Sequence, residues 1–113
     1  MQRRKDVDIV TIAGTRPEII KLADLVPILN SRYHHVFVYT GQHYSNNMKD
    51  IFFRELNLSP DYDLRCNTSE INILKNHIHE ALKILRPNYV VVYGYVDVLA
   101  AHAGRRREPF GQP

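Results

Sequence analysis

The stretch "TIAGTRPEIIKLADL", residues 11–25, decides how the rest of the chain is read. A short run rich in β-branched residues, Val7 to Ala13, stops at Gly14. Arg16, Pro17 and Glu18 then open an apolar run with helical spacing. Strand, tight turn and helix in direct succession begin a βαβ unit, and such units build a parallel sheet with helices on its faces. Thr15 is placed to cap the helix, Pro17 to occupy its first position, and Glu18 to complete a capping box. These roles account for three of the four residues in "TRPE" but not for Arg16. Backbone N–H groups at such a turn can hold an anion, and a guanidinium adds a bidentate donor. Two readings therefore stand: a helix cap alone, or a phosphate site. The spacing of the G-x-G-x-x-G and Walker fingerprints is absent.

Working outward, the first helix is expected from Pro17 to about Asn30, with Pro27 kinking its last turns. "HVFVYT", residues 35–40, is a second strand, and "GQHYSNN" after it is a polar loop. Met48 to Leu56 has the apolar spacing of a short amphipathic helix. A loop-like segment follows, with a short strand near Leu64. Apolar residues at 71, 74, 78, 81, 82 and 85 predict a helix from about Glu70 to Leu85, capped by Thr68 or Ser69. Arg86 and Pro87 end it, and Tyr89 to Tyr93 is the last clear strand. The three clear strands exit at Gly14, Gly41 and Gly94, the edge at which such sheets bind ligands. Glycine there would let a ligand approach closely.

A chain of 113 residues is one domain at most. An apolar fraction of 44% and a charged fraction of 24% are those of a globular protein, and no apolar run nears membrane-spanning length. Asp6 and Asp8 interrupt the basic start and no signal-peptide core follows, so a cytoplasmic location is expected. The lone Cys66 cannot form an internal disulfide, which agrees with a reducing compartment. The net charge of +3 is modest, and the runs Arg3-Arg4 and Arg105-Arg106-Arg107 lie at the ends, as solvated tails do; nucleic-acid binding is not expected.

Other polar residues give weaker signals. Gln42 and His43 at a strand exit could donate to a substrate oxygen, but they equally suit a loop that ties down its own turn. Lys21, about one turn beyond Arg16, reads locally as solvent-facing. His34 and His35 are expected at the surface. His77 and His79 lie two apart on a helix and cannot share a face, and Asp61 and Asp63 have no second ligand set, so no metal site is expected.

Three blocks, "GTRPEIIKLADLV", "YTGQHYSNNMKDIFFRELNLSPDYDL" and "LKILRPNYVVVYG", resemble the N-terminal part of the non-hydrolysing UDP-N-acetylglucosamine 2-epimerases. The resemblance covers about residues 8 to 94, in order and at suitable spacing. It implies a partial Rossmann-like parallel sheet with flanking helices, the N-terminal lobe of a two-lobed fold like that of the B-type glycosyltransferases. The implied activity interconverts UDP-N-acetylglucosamine and UDP-N-acetylmannosamine: the C2 proton is removed, UDP is eliminated, and it re-adds with C2 inverted. No cofactor or metal is implied. Arg16 would face the diphosphate or sugar, with Lys21 behind it and Gln42 and His43 beside it.

The family's last strand in this region is followed by Gly-Asp, and that aspartate belongs to its acid/base machinery. Here Gly94 is followed by Tyr95, whose phenol is no carboxylate base near neutral pH. Asp97 stands out of register, and residues 95–113 lose periodicity, as a truncated or frame-shifted reading would. The expectation is an incomplete lobe over 1–94 and a poorly ordered tail over 95–113. Such a chain would carry no catalytic residue, bind UDP-sugar weakly and be inactive alone. A half-protein that pairs with a separate second lobe, or a homo-oligomer, is the alternative. A receiver-like signalling domain lacks its acidic pair after the first strand, and a glycosyltransferase lobe shares only the architecture.

Overall fold

The computed structural model describes residues 7–41, 46–68 and 70–92. Among these residues, four strands and four helices run in the order β1 (Ile9–Ala13), α1 (Arg16–Leu22), α2 (Leu25–Arg32), β2 (His35–Tyr39), α3 (Asn46–Leu56), β3 (Tyr62–Asp63), α4 (Ile71–Leu85) and β4 (Tyr89–Val92). The strands form one parallel sheet in the order β3-β2-β1-β4. This is the α/β class expected from the alternating pattern.

Strand periodicity divides the core between the two faces. Val10, Ile12, Val36 and Val38 pack against Leu74, Ile78 and Leu82 of α4. Ala13, Phe37 and Tyr39 point the other way, onto Ile19 and Leu22 of α1, Val26 of α2 and Phe53 of α3. Phe37, Ile12, Ile19, Leu74 and Ile78 are each less than 2% exposed, and full burial of such a side chain is worth roughly 1.5–3 kcal/mol. No helix among the described residues is long and apolar enough to cross a membrane.

Three local expectations need correction. The first helix is not continuous: it breaks at Ala23–Asp24 and restarts as α2. Pro27 is the reason, because its ring would meet the carbonyl of Ala23 in a continuous helix. With the break it falls in the first turn of α2, where an N–H would have had no helical acceptor anyway. Glu70, not Thr68 or Ser69, caps α4: its side chain accepts from Ile73 N at 3.0 Å, while Thr68 Oγ1 accepts from Glu70 N at 3.0 Å. Arg86 closes the same helix in the left-handed conformation at φ 50°, its N–H bonded to Leu82 O.

The third correction concerns His35, which is buried rather than at the surface. It opens a central strand and faces the helix layer, with Asn30 Oδ1 at 2.6 Å from Nδ1 and Thr11 Oγ1 at 2.7 Å from Nε2. Donation to Asn30 places the proton on Nδ1 and leaves Nε2 to accept from the Thr11 hydroxyl. Burial lowers the His35 pKa below its ordinary value, and the Asp61 carboxylate pulls against that shift. Asp61 also completes the ladder where β3 is too short to do so. Its Oδ2 accepts from Phe37 N at 2.7 Å, and its own N–H donates to Phe37 O at 2.8 Å.

Candidate functional site

Because the strands are parallel, their carboxyl ends share one edge of the sheet. The chain moves outward from β1 to β2 and β3, then crosses back to pair β4 on the other side of β1. A reversal of this kind opens a crevice beside the β1 exit, between β1 and β4. Gly14 and Thr15 leave β1 at that point, and Arg16 is the first residue of α1. Pro17 therefore takes the second helical position, not the first.

Glu18 folds back over the turn. Its Oε1 accepts from Gly14 N at 2.8 Å and from Thr15 N at 3.2 Å, and the residue is only 9% exposed. Two of the turn's backbone donors, Gly14 N and Thr15 N, are thus taken by the chain's own carboxylate. The Arg16 side chain is the cationic group that this exit leaves exposed.

Arg16 is exposed, and its guanidinium lies 5.5 Å from the centre of the Phe52 ring, within cation–π range. Phe52 is on α3, three residues after Lys49 and hence on nearly the same face. Lys49 Nζ meets Asp63 Oδ2 at 2.6 Å, with the two side chains 15% and 18% exposed. The other Asp63 oxygen accepts from Arg65 N at 3.0 Å. Tyr39, opposite Asp63 in the sheet register, stands edge-on to Phe53 with ring centres 5.1 Å apart. Its phenol pKa is raised, first by burial and then by Asp63, while Lys49 and Arg16 pull it down. Four elements therefore converge on one charged cluster around a buried tyrosine.

Two features of the β2 exit complete the picture. Thr40 is fully buried and its hydroxyl has no hydrogen-bond partner among the described residues. Gly41 has φ +76°, and a Cβ built on it would come 3.0 Å from both Arg65 Cα and Asp63 Oδ1. The close approach that this glycine permits is made by the chain itself, from the loop after β3, where a ligand was expected.

Of the four residues expected to bind substrate, Arg16 stands at the crevice. Lys21 is exposed in the last turn of α1. Five residues along a helix amount to roughly 7.5 Å of rise and about 140° of rotation, so Lys21 is not beside Arg16. Gln42 and His43 lie outside the described residues, as do Gly94, Tyr95, Asp97 and the segment 95–113. Among the described residues, no group of three His, Cys, Asp or Glu side chains could hold a metal ion. The sequence reading does not single out Tyr39, Lys49 or Phe52, and it weighs Asp63 only with Asp61 as a metal ligand. The three-residue spacing of Lys49 and Phe52 is visible there, but the approach of Asp63 depends on the register of a two-residue strand.

Residues 29–106 match the family described as UDP-N-acetylglucosamine 2-epimerase. The chain belongs to this family. The epimerase match continues beyond residue 94, where the three sequence blocks end. The UDP-N-acetylglucosamine 2-epimerase of Methanocaldococcus jannaschii is 39% identical over 100 residues, covering 81% of this chain and 27% of that protein. The solved UDP-N-acetylglucosamine 2-epimerase of Rickettsia bellii superposes with a TM-score of 0.74 at 30% identity, covering 88% of this chain and 28% of the other. S. aureus MnaA, solved as a co-structure with UDP, gives a TM-score of 0.74 at 29% identity over 87% of this chain and 27% of that one. The chain thus spans little more than a quarter of the length of these epimerases.

Proposed function

We propose that this chain forms one wall of the UDP-sugar cleft of a UDP-N-acetylglucosamine 2-epimerase, the wall at the carboxyl ends of β1 and β2. The observation that carries the reading is the exposed Arg16 at the strand-order reversal, in a family with a member solved with UDP. The whole enzyme would interconvert UDP-N-acetylglucosamine and UDP-N-acetylmannosamine by C2 deprotonation, elimination of UDP and re-addition. Negative charge grows on the diphosphate as the C1–O bond breaks, and a guanidinium already in place stabilises that charge best. Arg16 takes this role. Gln42 and His43, which follow Gly41 directly in the chain, donate to the ligand beside it, and Lys21 adds positive charge at longer range. No described residue is assigned the C2 acid/base chemistry, so the chain alone is inactive and binds UDP weakly.

Titrating the isotope-labelled chain with UDP and following backbone amides tests the reading. The expected result is fast-exchange shifts clustered at residues 14–18 and 41–43, with a millimolar dissociation constant that Arg16→Ala weakens further. Shifts confined to other parts of the sheet, or none at the highest UDP concentration reached, would overturn the cleft assignment. Turnover of UDP-N-acetylglucosamine by this chain would overturn its incompleteness.

A further inference from the structure

The cluster at the strand exits contains an ion pair for which the cleft reading has no role. Lys49 and Asp63 are 14 residues apart, on α3 and β3, yet both are largely withdrawn from solvent and in contact at 2.6 Å. Asp63 uses both oxygens, one on Lys49 Nζ and one on Arg65 N, so its carboxylate is held in a single orientation. One helical turn from Lys49, on the same α3, the Phe52 ring lies under the Arg16 guanidinium. Phe53 beside it packs on Tyr39 and Phe37, with ring centres 5.1 and 6.3 Å apart. The contacts form a continuous line: β3 holds α3 through Asp63 and Lys49, and α3 holds Arg16 through Phe52.

From this line we infer that Lys49 and Asp63 are positioning residues for Arg16, fixing through α3 the direction in which its guanidinium is presented to an anionic ligand. The inference deepens the cleft reading and rests on it for the identity of the ligand. The physical reason is rotamer freedom. An exposed arginine samples many side-chain states, and a ring fixed beneath it reduces them before the ligand arrives. A ring performs that service only if its helix is tied down. The aromatic contacts of Phe53 set the depth of α3 against the sheet, but they are less directional than the Lys49–Asp63 pair, which fixes the helix along its own axis.

The test reads Arg16 directly. A guanidinium over an aromatic face gives an Arg16 side-chain N–H resonance displaced by the ring current, and Phe52→Leu supplies the undisplaced reference. Lys49→Met and Asp63→Asn are each expected to move that resonance to the Phe52→Leu position, while most backbone amide shifts stay as in the parent chain. The exchanged pair Lys49→Glu with Asp63→Lys is expected to restore it. Each single substitution should also weaken UDP binding about fivefold, the effect of losing roughly 1 kcal/mol of pre-organisation. Should Lys49→Met fail to fold, the near-isosteric Asp63→Asn decides alone. An Arg16 resonance that stays displaced in a folded single variant overturns the inference. If the resonance moves as expected but UDP perturbs no amide in the parent chain, the positioning role stands and the cleft reading falls.

Discussion

Replacing Glu18 probes the turn on which the site is built. Its Oε1 accepts from two backbone N–H groups, Gly14 at 2.8 Å and Thr15 at 3.2 Å, beneath a residue only 9% exposed. A hydrogen bond to a charged group contributes about 1.5–3 kcal/mol, and an abandoned buried donor costs a similar amount. The Thr15 bond is long and part-buried, so water can replace some of it; the Gly14 bond is buried and short. Glu18→Ala should therefore destabilise the fold by about 2–3 kcal/mol, a large share of the stability of a domain this size. Glu18→Gln keeps an acceptor oxygen and loses only the charge, so its cost should be about 1 kcal/mol. Glu18→Asp is one methylene too short to reach back across the turn and should behave like the alanine variant. Urea unfolding followed by far-UV circular dichroism measures all three, and the alanine variant should melt roughly 10 °C below the parent. An alanine variant within about 0.5 kcal/mol of the parent would show that the two bonds do not hold the turn.

Three further substitutions follow from the same geometry. Thr40→Val removes a buried hydroxyl that has no partner among the described residues while keeping its shape, so the midpoint of urea unfolding should rise, by about 1 kcal/mol in stability; a fall would mean that the hydroxyl is bonded in solution. Gly41→Ala places a methyl 3.0 Å from Arg65 Cα at φ +76°, and the same measurement should show a loss of about 2–4 kcal/mol. His35 is held neutral by burial, with its pKa lowered, so at mildly acidic pH the unfolded chain binds a proton that the folded chain refuses. Its contribution is complete above the unfolded value of 6.5 and is lost as pH falls below it towards the lowered folded pKa. Urea midpoints at pH 7.5 and 5.5 (about one pH unit on either side of that value) should differ more in the parent than in His35→Gln, and equal differences would remove His35 as the cause.

What could be read from the sequence follows the range of the interaction responsible. The central strands announce themselves through short runs rich in β-branched and aromatic residues such as "VDIVTIA" and "HVFVYT", because parallel strands are covered on both faces. The long helix is equally plain: Leu74, Ile78 and Leu82, three of its predicted apolar positions, are the residues that reach the core. Pro27 was visible too, but its consequence depends on whether a helix can restart one turn earlier, which local spacing does not decide. His35 misleads because histidine is usually solvated, and only the chance of meeting both Thr11 and Asn30 makes its burial tolerable. The exit cluster was the least legible. Arg16 drew notice as the one residue in "TRPE" that capping did not explain, whereas Lys49 and Asp63 gain meaning only when β3 takes its place beside β2.

That contrast bears on how the site is divided. At the β1 exit the Gly14 and Thr15 backbone donors serve the fold, since Glu18 occupies them, and in the proposed cleft binding is left to a side chain on the first residue of a seven-residue helix. A helix so short directs its side chains poorly by itself, because most of its backbone groups belong to its ends. Precision must then come from a neighbour, and the eleven-residue α3 is the neighbour in contact with Arg16. Stability and recognition consequently rest on different carboxylates two strands apart: Glu18 holds the turn, and Asp63 holds the helix that holds the arginine. Substitutions at Glu18 should change unfolding first and binding only as a consequence. Substitutions at Asp63 should change the orientation of Arg16 through α3 while leaving the Glu18 bonds of the turn in place.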